Sequence, residues 1–350
     1  MKKLFDSEKR EVISMEKMRA GKCATLVFAA AALLFLVAGQ AGAARKTQPR
    51  LLWPSPPGRA RIEFVRCIHA PSDMRIKKGF FAKLWAWIIG EKKHKMLKPF
   101  GVFAGGDGRL YVTDTVGRSV HVFDPEEDKY FDIEGAKGRR FASPIDVAAD
   151  KEGNIYVSDS VLKAVYVFNK KGKFLRKIGG GLRRPTGIAI DDAAGTIYVV
   201  DTLAGRILVY RLDGRYIKAI TGPFAAPTFM AIGRDGRLYV SDSMNARVDI
   251  LDKNGRFLGA IGSRGDAPGD LANPRGIAID ADGHIYVTDT LFNSVTIYNG
   301  KGRCLLVFGS EGTRDGEFAI PAGISIAGNF IYVADSYNMR IQEFRYLGGK

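Results

Sequence analysis

Leu110-Tyr111-Val112-Thr113-Asp114-Thr115 recurs six times along this chain with small changes, at 110–115, 155–160, 197–202, 238–243, 285–290 and 331–336. The Asp residues it contains, Asp114, Asp159, Asp201, Asp242, Asp289 and Asp335, follow one another at intervals of 45, 42, 41, 47 and 46 residues. A period of that length, held through most of a 350-residue chain, means that one supersecondary unit is repeated six times.

The fifth copy shows what the unit holds. Pro274-Arg275-Gly276-Ile277-Ala278-Ile279-Asp280 has the composition of a short strand, and Ala281-Asp282-Gly283 that of a turn. Residues 285–288, 295–298 and 304–308 supply three more strands, the last two separated by Asn299-Gly300-Lys301-Gly302. Short strands punctuated by Asp-Gly and Gly-x-Gly turns make an antiparallel meander, and nothing in the repeats has helical periodicity. The second strand is apolar on both faces. In Ile155-Tyr156-Val157 the Ile and Val point one way and the Tyr the other. A sheet with one wet face alternates apolar and polar residues, so these sheets need cover on both sides. Radial stacking provides it, and the predicted fold is all-β: a six-bladed β-propeller of four-stranded antiparallel blades. The sixth repeat stops one strand short, whereas Arg61-Ile62-Glu63-Phe64-Val65-Arg66 reads as a strand with no partner of its own. Residues 59–69 are therefore expected to complete the last blade, closing the ring and removing its exposed edges.

Over residues 98–346 the repeats resemble the NHL family, whose unit runs Pro-x-Gly-aliphatic, then Tyr-Val-Ala-Asp-Ser/Thr, an Asn, and Arg before Ile or Val. Asp242-Ser243-Met244-Asn245-Ala246-Arg247-Val248 and Asp335-Ser336-Tyr337-Asn338-Met339-Arg340-Ile341 carry the likeness best. The other four copies have Gly117, Leu162, Ala204 and Phe292 in place of the Asn, and the Pro-x-Gly start is lost at Asp146 and Phe229. The resemblance implies a propeller and leaves the function open, because such propellers serve as protein-binding, RNA-binding and enzymatic platforms. The enzymes among them, amidating lyases and lactonases, hold a metal on the axis with His, Glu, Asn and Asp side chains. None of His69, His94, His121 and His284 falls at an equivalent axial position, and together they make no three-His zinc site. Motifs of nucleophilic hydrolases, P-loops and zinc-binding Cys pairs do not occur. No catalytic residue, metal or cofactor is expected.

Upstream of the repeats, Lys17, Arg19 and Lys22 precede an apolar run over 24–39, and Ala41-Gly42-Ala43 has the form of a signal-peptidase site. Residues 1–43 read as a signal peptide or an N-terminal membrane anchor. The protein is expected to be exported: periplasmic, at the cell surface or secreted, with inner-membrane anchoring as the variant. Residues 44–58 form a Pro-rich linker, extended through Trp53-Pro54-Ser55-Pro56-Pro57. Residues 70–97 hold the one helical insertion, with Phe80, Phe81, Leu84, Trp85, Ile88 and Ile89 at helical spacing among lysines. This helix either packs on the propeller or meets a membrane or partner through Trp85 and Trp87. Cys23 lies in the signal, Cys304 takes a slot filled by Phe174, Tyr216 and Phe257 elsewhere and reads as a core substitute, and Cys67 ends the closing strand. Two separate thiols are expected in the propeller.

The net charge is +16, and because residues 1–43 hold seven basic and four acidic residues, the remainder keeps +13. Such a balance favours acidic partners. Each repeated Asp follows the aliphatic side of its strand, so it is partly buried and takes backbone donors from its own loop in an Asx-type turn. Its recurrence in every blade marks it as structural. Two residues beyond it the chain is always apolar: Val116, Val161, Leu203, Met244, Leu291 and Tyr337. These are either inward-folded fillers or a contact ring on the face formed by the loops between second and third strands and by the crossings between blades, hereafter the top face. Cations gather on the same face. Arg206 and Arg247 follow the Asp in their loops, while Arg139-Arg140 and Arg183-Arg184 lie as adjacent pairs at crossings, suited to an acidic ligand. Asp146 takes a Gly slot at the mouth of the axial channel, where it either touches a cation or substrate or bonds to backbone alone. The expected function is a non-enzymatic binding or scaffold module. It would hold an acidic protein partner through Arg139, Arg140, Arg183, Arg184, Arg206, Arg247, Val161, Leu203 and Met244. An axial-metal enzyme and an RNA binder are the alternatives, and export argues against nucleic acid.

Overall fold

Six antiparallel sheets stand around a common axis in the computed structural model, which describes residues 50–55, 57–74, 76 and 95–348. The first blade holds Pro99–Ala104, Leu110–Asp114, Ser119–Asp124 and Lys129–Ile133; the second holds Pro144–Ala149, Ile155–Asp159, Ala164–Phe168 and Phe174–Ile178. Blades three, four and five open on Pro185–Asp191, Pro227–Ile232 and Pro274–Ile279 and continue in the same strand order. The first strands of neighbouring blades touch all the way round, so they are innermost. Each begins with Pro, which has no N–H to donate and suits the first position of a strand.

The sixth blade closes the ring as the sequence predicts. Ile62–Ile68 pairs antiparallel with Arg340–Tyr346, from Ile62 opposite Tyr346 to Ile68 opposite Ile341. Residues 44–58 are not a linker throughout: Leu52–Trp53 pairs with Ile62 and Glu63 as a fifth strand of this blade. The Trp53 ring lies 5.9 Å from Phe308 and 5.8 Å from Phe344, so this tryptophan belongs to the core and not to a tether. Of the insertion at 70–97, Pro71–Met74 forms one 3-10 turn, while the expected helix with Trp85 and Trp87, like the segment 1–43, lies outside the described residues.

The core is divided into wedges between blades, and the repeated Tyr residues are its keys. Tyr111 packs with Val147 and Val157 of the second blade, Tyr156 with Ile188 and Val199 of the third, and Tyr286 with Ile324 and Val333 of the sixth. The small residue before the repeated Asp ties blades together by hydrogen bonds. Thr113 Oγ1 accepts from Gly101 N at 2.7 Å and donates to Ile145 O of the next blade at 2.9 Å. Ser158 and Thr288 repeat this arrangement with Thr186 O and Ala322 O. Across the closure, Ser336 Oγ donates to Pro99 O at 2.6 Å. Cys67 and Cys304 are both free, as expected. Cys304 is half-buried because its slot lies on an outermost strand, where Tyr216 and Phe257 are exposed; it is an edge position and not a core one.

A chain starting at residue 70 should leave the sixth blade three-stranded with Phe344 unroofed. We expect it to aggregate, or to melt at least 10 °C below the full chain in a thermal scan, about what a loss of several kcal/mol produces in a domain of this size. Unchanged melting would mean that closure does not hold the ring.

Candidate functional site

The top face is built on the six Asp carboxylates, each fully buried. Asp289 shows the pattern. Its Oδ1 accepts from Leu291 N at 2.9 Å and Phe292 N at 3.1 Å in its own loop, and its Oδ2 accepts from Ala272 N at 2.7 Å and Asn273 N at 3.0 Å. The second pair comes from the crossing that leads into the blade. Sequence reasoning foresaw the first pair and missed the second, because donors 16 and 17 residues upstream leave no local signal. Asp114, Asp159, Asp201 and Asp242 likewise take pairs of crossing-loop donors. Each carboxylate therefore staples the crossing to the loop between the second and third strands.

The staple decides where the apolar residue goes. Its N–H is tied to the buried carboxylate in the first, second and fifth blades, and the loop ends in a left-handed residue, such as Arg118 (φ 54°), Lys163 (φ 56°) or Met339 (φ 53°). With the backbone turned inward, the side chain projects outward. Val116, Val161, Leu203, Met244, Leu291 and Tyr337 are 57–68 % exposed, so they are not inward fillers.

The predicted cations divide into two groups. Arg139 and Arg140 are exposed on a small ribbon, Gly135–Ala136 paired with Arg139–Arg140, that projects from the first crossing. Arg183 and Arg184 give their backbone N–H groups to Asp201 and keep their guanidinium groups exposed. Arg206 and Arg247 instead bond within their own blades and crossings. Arg206 Nη2 donates to Gly181 O at 2.7 Å, and Arg247 Nε donates to the buried Asp249 at 2.7 Å. Burial first, offset by Arg247, leaves the Asp249 carboxyl raised to about 6.

The axis holds what sequence reasoning did not assemble. Phe100 and Phe229 come from the first and fourth blades, which face each other across a six-membered ring, and their rings lie 6.0 Å apart. The Arg275 guanidinium stands 5.3 Å above the Phe100 ring. Burial, then the like charge of Arg184, lowers the Arg275 pKa, and no carboxylate among the described residues pairs with it. Repeat alignment did carry a signal, since all three residues sit at the second or third position of an innermost strand.

Asp146 holds the same strand position as Phe229, lines the axial cavity and is buried. The Gly slots it departs from are tight: a Cβ on Gly101, Gly187, Gly276 or Gly323 would come within 2.3–2.6 Å of the next blade's backbone. Asp146 Oδ2 accepts from Ile188 N at 2.9 Å, and burial raises its carboxyl to about 7. His121 is far from the axis, buried in the third strand between Asp114 and Asp132; burial opposes its charge, but these two carboxylates outweigh it and raise its pKa. Among the described residues, Asp280, Asp282 and His284 bring ligand atoms within 4.8 Å of one another. Asp280 already accepts from Asp282 N, His284 N, His284 Nδ1 and Tyr286 Oη, the role Asp150 plays with Asn154 and Tyr156 in the second blade. It is a turn.

With this geometry in hand, comparison with known proteins gives a consistent class. A family model described as a 6-bladed beta-propeller matches residues 143–235 and 232–284, and the NHL repeat matches 318–344. The chain is a six-bladed β-propeller that carries an NHL repeat at 318–344. No curated protein matches it in sequence. Among solved structures it is similar to a virginiamycin B lyase from Staphylococcus aureus solved with quinupristin, at 15 % identity and a TM-score of 0.57, over 73 % of this chain and 97 % of that one. It is also similar to an auxiliary nutrient binding protein from Bacteroides thetaiotaomicron, at 13 % identity and 0.59, over 72 % and 70 %. A chain of a nidogen/laminin complex matches at 20 % identity and 0.51, over 61 % and 80 %. At these identities each likeness speaks for the fold alone.

Two outcomes follow from the carboxylates. Asp289→Ala strands four backbone donors in a buried loop and should cost about 3 kcal/mol or more in urea denaturation. Asp146 works in the opposite sense. Its folded pKa of about 7 exceeds the ordinary 3.8, so the stability it allows is complete below about pH 4 and lost as pH rises through 7. Asp146→Asn should match the wild type at pH 4 and exceed it at pH 8 by at least about 1 kcal/mol. A variant less stable at pH 8 would contradict this assignment.

Proposed function

We propose that this propeller is an exported binding module that holds an acidic protein partner on its top face. One observation carries the reading: six equivalent loops present one exposed apolar side chain each, from Val116 round to Tyr337. Repeated exposure of that kind costs solvation and gains nothing in the isolated chain, whereas apolar tips studded among cations match the composition of an interface. The exposed guanidinium groups of Arg139, Arg140, Arg183 and Arg184 would steer the partner, and Val161, Leu203 and Met244 would supply desolvated contact. Arg206 and Arg247 are already engaged within their own blades and crossings and contribute shape. Arg275 is the natural central anchor, since a half-buried guanidinium without a carboxylate gains most when a partner brings one. Binding is favoured over an axial-metal reaction because Phe100 and Phe229 occupy the top of the axis.

Charge reversal of Arg183 and Arg184 to Glu should slow association with a partner captured from the cell envelope and flatten its salt dependence. Leu203→Ala should mainly speed release, by about fivefold to thirtyfold for a contact worth 1–2 kcal/mol. Arg275→Gln should weaken binding more than either Arg206→Gln or Arg247→Gln. Surface plasmon resonance at two salt concentrations measures all three, with circular dichroism confirming the fold. Unchanged rates in the doubly reversed variant would remove these arginines from the interface.

A further inference from the structure

The axis holds a cavity of about 270 Å³, with Phe229 in its lining. Its wall combines the aliphatic side chains of Val147, Ile188, Met230, Ile277 and Ile324 with the polar backbone of the innermost strands and with Ser325. The far ends of these strands, at Ile190, Ile232, Ile279 and Ile326, are half-buried and form its mouth, on the face opposite the loop tips. One ionisable group reaches the depth of this space. Asp146 is 7 % exposed, lines the cavity, and receives a single N–H from its neighbouring blade, that of Ile188. No Lys, Arg or His among the described residues pairs with it, and no other charge acts on it; Gly101, Ser158 and Ile188 surround it from three blades.

The rim has a charge opposite to that of the chain. The hairpins joining first to second strands, at 105–109, 150–154, 191–195, 233–237, 280–284 and 327–329, carry eight carboxylates against four Lys or Arg, on a chain whose net charge is +16. An excess of carboxylates around an opening raises the concentration of cations at its mouth. Inside, the aliphatic side chains offer contact to a small apolar body, and a buried carboxylate with no counter-ion gains from a cation that brings its own donors. Ca²⁺ is a poor match, because it needs about six to eight oxygen ligands and Asp146 is the one carboxylate in the depth of the cavity among the described residues. The volume lies below the ~300–1,000 Å³ of drug-sized sites, which limits the guest to a single ring or a short chain.

We propose that the axial cavity binds a small primary amine, with its apolar body against the aliphatic side chains of the wall and its ammonium group on Asp146, entering through the acidic rim. The site is separate from the top face, so either can fail without the other. Burial holds the Asp146 carboxyl near 7, and the incoming ammonium would pull it down and complete its ionisation. Amine binding should therefore be strongest above pH 7 and weaken as Asp146 takes up its proton.

Isothermal titration of the full chain with phenethylamine, phenethyl alcohol and phenylacetate tests this. At pH 8 the amine should bind at least tenfold tighter than the alcohol, and phenylacetate should not bind. At pH 5 the advantage of the amine should shrink severalfold. Asp146→Asn, which keeps an acceptor for Ile188 N, should abolish the preference. Asp192→Asn, at the other ionisable residue lining the cavity, should retain it. Equal binding of amine and alcohol, no binding of either at millimolar concentration, or a preference that survives in Asp146→Asn would overturn the assignment. If that variant does not fold, the wild-type pH series decides, and an amine preference unchanged between pH 8 and pH 5 overturns it.

Discussion

A buried carboxylate neutralised by backbone N–H groups is the constraint on which the top face depends. Each repeated Asp is removed from water in a position where an unpaired charge would cost several kcal/mol. Asp289 meets that cost with four N–H donors drawn from two loops that are remote in sequence. Because the backbone satisfies the charge, most blades need no cation for it, and arginines such as Arg183 and Arg184 are left facing solvent. The sixth blade solves the problem differently. Asp335 takes Arg340 Nε at 2.7 Å, and that arginine is buried and unavailable to a partner. The division of cations between scaffold and surface thus follows from how each loop supplies its Asp with donors.

Ring geometry imposes the second constraint, at the axis. Innermost strands converge so closely that Gly101, Gly187, Gly276 and Gly323 have no room for a Cβ. The two blades that depart from Gly place Asp146 and Phe229 there, and these residues set the character of the axis. Phe229 reaches Phe100 and closes the top, while Asp146 puts one carboxyl into the wall of the axial cavity. A residue held at a cost in the folded state, where Gly would suffice, is the kind of local inconsistency that accompanies function.

Charge is segregated on this molecule in a way its total conceals. The inner hairpins carry an excess of carboxylates, whereas the outer hairpins of the second to fifth blades carry an excess of cations and that of the first blade, with Asp124, Glu126, Glu127 and Asp128, does not. A single figure of +16 therefore describes neither face. The apolar loop tips and the acidic rim lie on opposite ends of the axis.

Period, strand count and closure were legible in the chain itself. The repeat length, the two-faced apolar second strand and the orphan strand at Ile62 each follow from local pattern, and patterns of period two survive any tertiary context. The packing role of the repeated Tyr and the loop role of the repeated Asp were legible for the same reason. What needed tertiary structure was whatever depends on residues distant in sequence. Trp53 reads as part of a Pro-rich tether until Phe308 and Phe344 stand beside it, and the outward projection of the six loop tips depends on how the staple turns the backbone. Phe100, Phe229, Arg275 and Asp146 come from four blades, and only the closing of the ring brings them to one axis. Sequence spacing determines which residues share a blade, whereas the convergence of six blades decides which residues meet at the centre.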